Sequence, residues 1–307
     1  MSQNLPLVSI VTPSFNQARY IDATLQSVLT QDYPSIECIV TDGASTDNTV
    51  EILRHYETRI IWTSEPDHGQ ADAINKGFSR SHGQILGWLN SDDTLEKSAV
   101  TAAVQFLSAH PDVSMVYGDA NFIDSRGQFI VPCAHIEPFS ASRLIHYSDF
   151  IVQPAAFFRR DAFESVGALD PSLHYAMDYD LWLKFAAQFK IAYLPKVLAN
   201  YRWLGENKSA VGGWNRLEEV ERVARRHGAS RLPAYFRLEA INLLLQQAAS
   251  DSRQGKPIAA GKSMARAATS LLSNWRAMRS LISPQTWRII RTGQILRAAG
   301  NHRNSHS

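Results

Sequence analysis

Four short apolar runs in the first third of the chain constrain its fold more than any other feature: Leu7–Thr12, Ile36–Thr41, Ile60–Thr63 and Ile85–Leu89. Runs of this length, bounded by turn residues, read as buried strands. Between them the apolar residues fall at helical spacing. Ile21, Leu25, Val28 and Leu29 follow the first run, Val50 and Leu53 the second, Ala71, Ile74 and Phe78 the third. Strands alternating with helices long enough to cross over predict an α/β chain: a parallel sheet with helices on both faces. Parallel strands send their following loops to one edge, where open α/β sheets bind ligands. Three polar loops meet that description: Pro13–Asn16, Asp42–Asp47 and Asn90–Thr94. In the last, Asp92 and Asp93 are adjacent carboxylates, oxygen ligands that suit a hard divalent cation. The same pair also suits a solvated turn that caps the next helix; the convergence of three loops favours a site.

The second half changes pattern. Val113–Tyr117 reads as a strand, and Asn121–Ile123 and Phe129–Val131 flank a hairpin signal at Asp124–Gly127. Phe150–Arg159 reads as extended, and Asp161–Val166 as a short helix. A longer helix begins near Met177–Asp180 and buries Leu181, Trp182, Phe185 and Phe189. Ile191–Leu194 and Val197–Arg202 read as two strands, so the sheet becomes mixed. From Trp214 onward the chain is helical in character, including Arg237–Ala249, and from Gln254 it carries Lys and Arg but no Asp or Glu. We divide it into an α/β domain, 1–213, and a helical basic region, 214–307. Basic residues beside the stripe Leu271, Leu272, Trp275, Met278, Leu281 and Ile282, and beside Trp287 and Ile290, suit a helix on an anionic membrane surface. They equally suit a helical subdomain packed on the first domain, or an oligomer contact. No nucleic-acid partner is expected, because no recognition module accompanies the charge. Two cysteines are too few for a disulfide framework. No signal peptide and no apolar stretch of membrane-span length is evident, so a cytoplasmic protein, peripheral at the inner face of the membrane if the tail binds there, is the expectation.

Four segments in order carry a resemblance: Val11–Asn16, Asp42–Asp47, Asn90–Asp93 and Tyr175–Trp182. Together they resemble the inverting family-2 glycosyltransferases of the GT-A fold, a Rossmann-like mixed sheet with helices on both faces, over roughly Leu7–Ser209; the C-terminal helical extension lies outside. The resemblance implies a nucleoside-diphosphate sugar donor, a saccharide or lipid-linked saccharide acceptor, and Mn²⁺ or Mg²⁺. It also implies roles. Pro13, Phe15 and Asn16 match the first nucleotide-contacting loop, and Asp42 the acid at the base edge. Asp92 matches a contact to ribose or donor sugar, Asp93 the metal ligand, and Asp178 the catalytic base. Asp72 lies in the loop-and-helix segment that completes the nucleotide pocket.

Each residue also has an ordinary structural reading. Asp42 can form an Asx-turn, Asp178 an N-cap, and Asp72 a solvated or capping carboxylate. Pro13 and Phe15 can merely shape their loop. Two departures stand out: Thr41 replaces the first acid of the common Asp-Asp-Gly-Ser motif, and Leu204 stands where a metal-binding His often does. The cation is therefore expected to bind mainly together with the nucleotide. The chemistry needs these groups. A cation stabilises charge on the departing diphosphate, and inversion needs a carboxylate to take the acceptor proton. The start of a helix favours the ionised form of Asp178. A non-catalytic nucleotide-sugar sensor on the same fold is the alternative. A nucleotidyltransferase should carry a Gly-rich, basic loop after its first strand, which Pro13–Asn16 is not.

Overall fold

The computed structural model describes residues 5–273 together with Thr292 and Ile295. Its strands are β1 Val8–Ser14, β2 Ile36–Asp42, β3 Ile61–Ser64, β4 Ile85–Trp88, β5 Thr94–Leu95, β6 Val113–Ile123, β7 Phe129–Pro132, β8 Ala156–Arg159 and β9 Lys190–Arg202. The helices are α1 Ile21–Leu29, α2 Thr49–His55, α3 Gln70–Ser79, α4 Ala99–Ala109, α5 Ala141–His146, α6 Arg160–Val166, α7 Met177–Gln188, α8 Lys208–Val211, α9 Gly213–Arg226, α10 Ala234–Arg253 and α11 Pro257–Ser273. One sheet runs β3-β2-β1-β4-β8-β6-β9-β5, with β7 added to β6. β3, β2, β1 and β4 are parallel, as the first four apolar runs predict. β8 runs antiparallel to both β4 and β6, and β9 parallel to β6, which makes the sheet mixed.

Side chains alternate across a strand, so one run feeds two cores. Val11, Ile39 and Leu86 face a layer that includes α3, α7 and α9; Val8, Ile10, Cys38 and Val40 face α1, α2 and α4. Both cysteines are buried and free. Two expected pairs of strands are each one longer strand. β6 runs through Gly118, and β9 runs through Pro195 and Lys196, which form a bulge opposite Gly118 and Asp119. A Cβ at Gly118 would lie 2.5 Å from the Lys196 carbonyl oxygen, so glycine lets the bulge approach. These two residues break the apolar pattern without breaking the strands.

The boundary expected at 213/214 falls at the start of α9. Leu217, Val220, Val223 and Ala224 of α9, and Phe236 and Ala240 of α10, lie in the same core as Trp182 and Phe185 of α7. Farther on, Ala267 of α11 packs against Ile241 and Leu244. Of the expected apolar stripe, Leu271 and Leu272 are described; its remainder, and the Trp287 segment, lie outside the described residues. Among the described residues no helix is long and apolar enough to cross a membrane.

Candidate active site

The parallel register places Ser14 beside Asp42 and Val11 beside Trp88, so the three loops leave the sheet side by side. They are then tied together. The Asn16 N–H donates to the Ser45 hydroxyl at 2.8 Å, and the Thr46 N–H to Asn16 Oδ1 at 2.8 Å. Asn16 has φ 54°, a left-handed conformation that Asn tolerates well. Above them opens a cavity of about 830 Å³, a volume suited to a small-molecule or cofactor ligand. It is lined by Pro13, Phe15 and Asn16 of the first loop, by Gly43 and Asp67, by Asp92 and Asp93, and by His174, Leu204 and Lys208. The Phe15 ring is 59% exposed, open for stacking. A Cβ on Gly43 would lie 2.6 Å from Asp67 Oδ2, so this glycine lets the Asp67 carboxylate close over the loop.

Asp42 precedes Gly43 and is 2% exposed. Its carboxylate accepts the Ser45 N–H at 2.9 Å, the Ser45 hydroxyl, and the Ser64 hydroxyl at 2.6 Å. Asp72 is not part of the cavity lining. It accepts the His68 N–H at 3.0 Å and pairs with Lys76 at 3.2 Å, and the His68 amide bond is the foremost influence lowering its pKa.

The two adjacent acids differ sharply. Asp93 is 1% exposed, and its Oδ1 accepts the Arg202 backbone N–H at 2.8 Å. Burial, and then the neighbouring Asp92 charge, push its carboxyl well above the usual carboxylate range. Asp92 is half-buried and lines the cavity, and no side chain among the described residues bonds its carboxylate. Burial raises its pKa too, while the nearby Arg202 guanidinium opposes the rise. Arg202 itself braces the loop: Nε donates to the Asp92 carbonyl at 2.6 Å and Nη1 to the Asp124 carbonyl at 2.8 Å, with Tyr20 stacked 5.0 Å away. Asn90 accepts the Trp88 indole N–H and the Gln70 amide, both at 2.8 Å, which fixes the start of the loop.

Asp178 stands in the first turn of α7, where its Oδ1 accepts the Tyr179 N–H at 2.8 Å. Burial raises its pKa, and the helix amides and Arg216 oppose the rise. The helix end thus supports the charged form, yet burial outweighs it. Asp180 faces away, paired with Lys184 at 2.7 Å. Three polar neighbours were not singled out in the sequence. Asp149 lies close enough for its charge and that of Asp178 to repel; burial first, and then Asp178, raise its pKa strongly. Lys208 lines the cavity and donates to Gln70 Oε1 at 2.9 Å, and burial lowers its pKa. Glu219, on α9, bonds the backbone just before α7. Only Lys208 had a local signal, a cation following the turn residues Gly205 and Asn207.

Among the described residues no cluster of three or more His, Cys, Asp or Glu is placed to hold a metal ion. Of the adjacent pair that lines the cavity, Asp92 is the more exposed, and one such carboxylate fits a cation whose remaining ligands come with a bound diphosphate and water.

The sequence pattern of glycosyl transferase family 2 matches residues 9–167. An uncharacterised glycosyltransferase of Rickettsia prowazekii is 29% identical over 236 residues, covering 72% of this chain and 72% of that protein. Chondroitin synthase of Pasteurella multocida is 31% identical over 209 residues, covering 67% of this chain but 21% of that longer protein. Among solved structures, S. aureus TarS in complex with UDP-GlcNAc superposes with a TM-score of 0.59 at 19% identity, over 78% of this chain and 72% of that one. A mannosyltransferase from Pyrobaculum calidifontis, in complex with GDP-Man and Mn²⁺, gives 0.59 at 21% identity over 98% and 88%. These likenesses carry the GT-A fold, and with the family match over half the sequence they make this chain a member of glycosyltransferase family 2.

Proposed function

We propose that this glycosyltransferase moves a sugar from a nucleoside-diphosphate sugar to a hydroxyl of a glycan or lipid-linked saccharide, by a single inverting displacement assisted by Mn²⁺ or Mg²⁺. The observation that carries this reading is the Asp92 carboxylate, bonded by no side chain among the described residues, in a cavity that an exposed Phe15 ring and Lys208 also line. Bound nucleotide sugars in the TarS and mannosyltransferase structures support the donor class.

Phe15 stacks on the base, with Pro13 and Asn16 shaping its loop. Asp42 and Asp72 act at one remove. Asp42 holds Ser45 and Ser64 in place under the nucleotide wall, and Asp72 holds the His68–Gln70 turn. Asp92 takes the metal-anchoring role that the resemblance assigned to Asp93, because Asp93 is buried and bonded to the Arg202 amide. Asp93 instead sets the geometry of the loop. The cation, when bound, stabilises the negative charge that develops on the departing diphosphate. Lys208, which lines the same cavity, adds a positive charge. Asp178 accepts the proton of the acceptor hydroxyl as it attacks. Its raised pKa brings it closer to that of a base matched to neutral pH.

The experiment is a panel of UDP-, GDP- and other nucleotide sugars, titrated with and without Mn²⁺ and followed for hydrolysis. Mn²⁺-dependent binding and slow hydrolysis of at least one is expected; folded protein that binds none refutes the reading. A lipid-linked acceptor would bring α11 to the membrane, where its exposed Ile258, Met264 and Leu272 lie among Lys262 and Arg266. Co-sedimentation with anionic but not neutral vesicles tests that placement.

A further inference from the structure

Three consecutive backbone N–H groups converge on one carboxylate far away in sequence. His174 donates to both oxygens of Glu219 at 3.0 Å, and Tyr175 and Ala176 donate to its Oε1, the latter at 2.7 Å. Glu219 belongs to α9 and is 8% exposed. Ala176 immediately precedes α7 and, being alanine, offers no side-chain cap. A helix start leaves its first amides without intrahelical partners. Here the N-cap amide of Ala176, with the two amides that lead into it, is satisfied by a charged group from another element, which also complements the positive end of the helix.

We propose that Glu219 is a positioning residue for glycosyl transfer: as an external cap it fixes the entry to α7, and with it the placement of Asp178 and of the cavity wall at His174. The inference rests on Asp178 being the base. Asp178 lies two residues beyond Ala176, so a shift of the first turn displaces its carboxylate directly. The rest of α9 holds the same region. Arg226 pairs with Asp170 in the loop before α7 at 3.0 Å, and His227 approaches Asp180 at 3.5 Å. Arg216 is anchored on Glu239 of α10 at 2.8 Å. Leu217, Val220 and Val223 share the α7 core. The carboxylate that caps the base helix thus comes from beyond residue 213, in the region that the sequence pattern sets apart.

Amide hydrogen exchange and steady-state kinetics on the full chain test this. In Glu219→Ala, amides 174–176 should lose protection. Affinity for UDP with Mn²⁺ should stay within about twofold, and kcat for the nucleotide sugar turned over by the wild type should fall about 10- to 100-fold at unchanged donor KM, the scale of an ångström-level misplacement. Glu219→Gln should recover most of kcat, since Oε1 alone receives three of the four bonds. Full protection in Glu219→Ala overturns the cap. Lost protection with undiminished kcat overturns positioning, as does a Gln variant no better than Ala. Exchange is read without turnover, so failure of the base assignment, seen as undiminished transfer in Asp178→Asn, is distinguishable from failure of the cap.

Discussion

Truncating Asp92 and Asp93 separately to alanine should damage different properties. Asp93 Oδ1 accepts a fully buried backbone N–H from Arg202 at 2.8 Å. In Asp93→Ala that amide loses its partner inside the protein, at a cost of about 1–3 kcal/mol for the orphaned donor, with a small addition for the vacated volume. Relief of the buried charge offsets part of this, leaving a net loss of about 2 kcal/mol. A melting entropy near 2.1 cal/mol/K per residue gives ~0.64 kcal/mol/K for 307 residues, so the midpoint should fall by about 3 °C. Asp92 has no side-chain partner to lose. Its alanine variant should melt within ~1 °C of the wild type, or slightly above it, because a carboxylate that raises the pKa of Asp93 has gone. Binding should separate the pair in the opposite sense. Calorimetric titration of UDP and GDP with Mn²⁺ should show Asp92→Ala weakened by at least ~10-fold, or about 1.4 kcal/mol. Asp93→Ala should keep measurable Mn²⁺-dependent binding. Unchanged affinity in Asp92→Ala, with binding abolished in a folded Asp93→Ala, would return the metal to Asp93 and refute the argument from burial.

Asp178→Asn should lower kcat by about 10²–10⁴-fold while leaving donor affinity nearly intact. The wild-type rate should fall on the acid side with an apparent pKa above the ordinary 3.8, because burial raises that of Asp178. The folded state then binds this proton more tightly than the unfolded chain, so its stabilising effect is complete below pH 3.8 and lost as pH rises through the folded pKa. Asp178→Asn should accordingly melt higher than the wild type at pH 8 and not at pH 3. Ala44 sits at φ 61°, a left-handed backbone that costs a non-glycine residue about 1–2 kcal/mol. Ala44→Gly recovers that less the entropy of glycine, about 0.5–1 kcal/mol, for a net rise of roughly 1 °C by scanning calorimetry. Leu204→His places an imidazole on the same cavity as Asp92, and should tighten Mn²⁺ binding without nucleotide by about tenfold; a Mn²⁺ titration reading no change would mean the two positions do not share an ion.

Local period and strand direction were legible in the sequence. The first four strands are apolar runs, and their parallel order brings Asn16, Asp42 and Asp92 to one edge whatever the side chains do later. The continuity of β6 and β9 was not legible, because Gly118 and Pro195 look like breaks until their bulge is seen to fit together. Glu219 was less legible still. Its partners are 43 to 45 positions away and are backbone amides, which leave no trace in residue identity.

The adjacent acids show where such reading stops. A D-D pair announces charge at a loop, but neighbouring residues in a turn can face in unrelated directions. Which one meets solvent depends on what claims the other. Here the claim is made by the amide of Arg202, at the end of β9, more than a hundred positions away. Its guanidinium then closes on the Asp92 carbonyl, so one residue binds Asp93 by its backbone and Asp92 by its main-chain oxygen, leaving the Asp92 carboxylate the more exposed of the two. A charge-reversed or shortened residue at 202 should disturb both acids through the loop. Arg202→Lys, which keeps the charge but not the two-sided reach of the guanidinium, should weaken Mn²⁺-dependent nucleotide binding without touching the ligand itself.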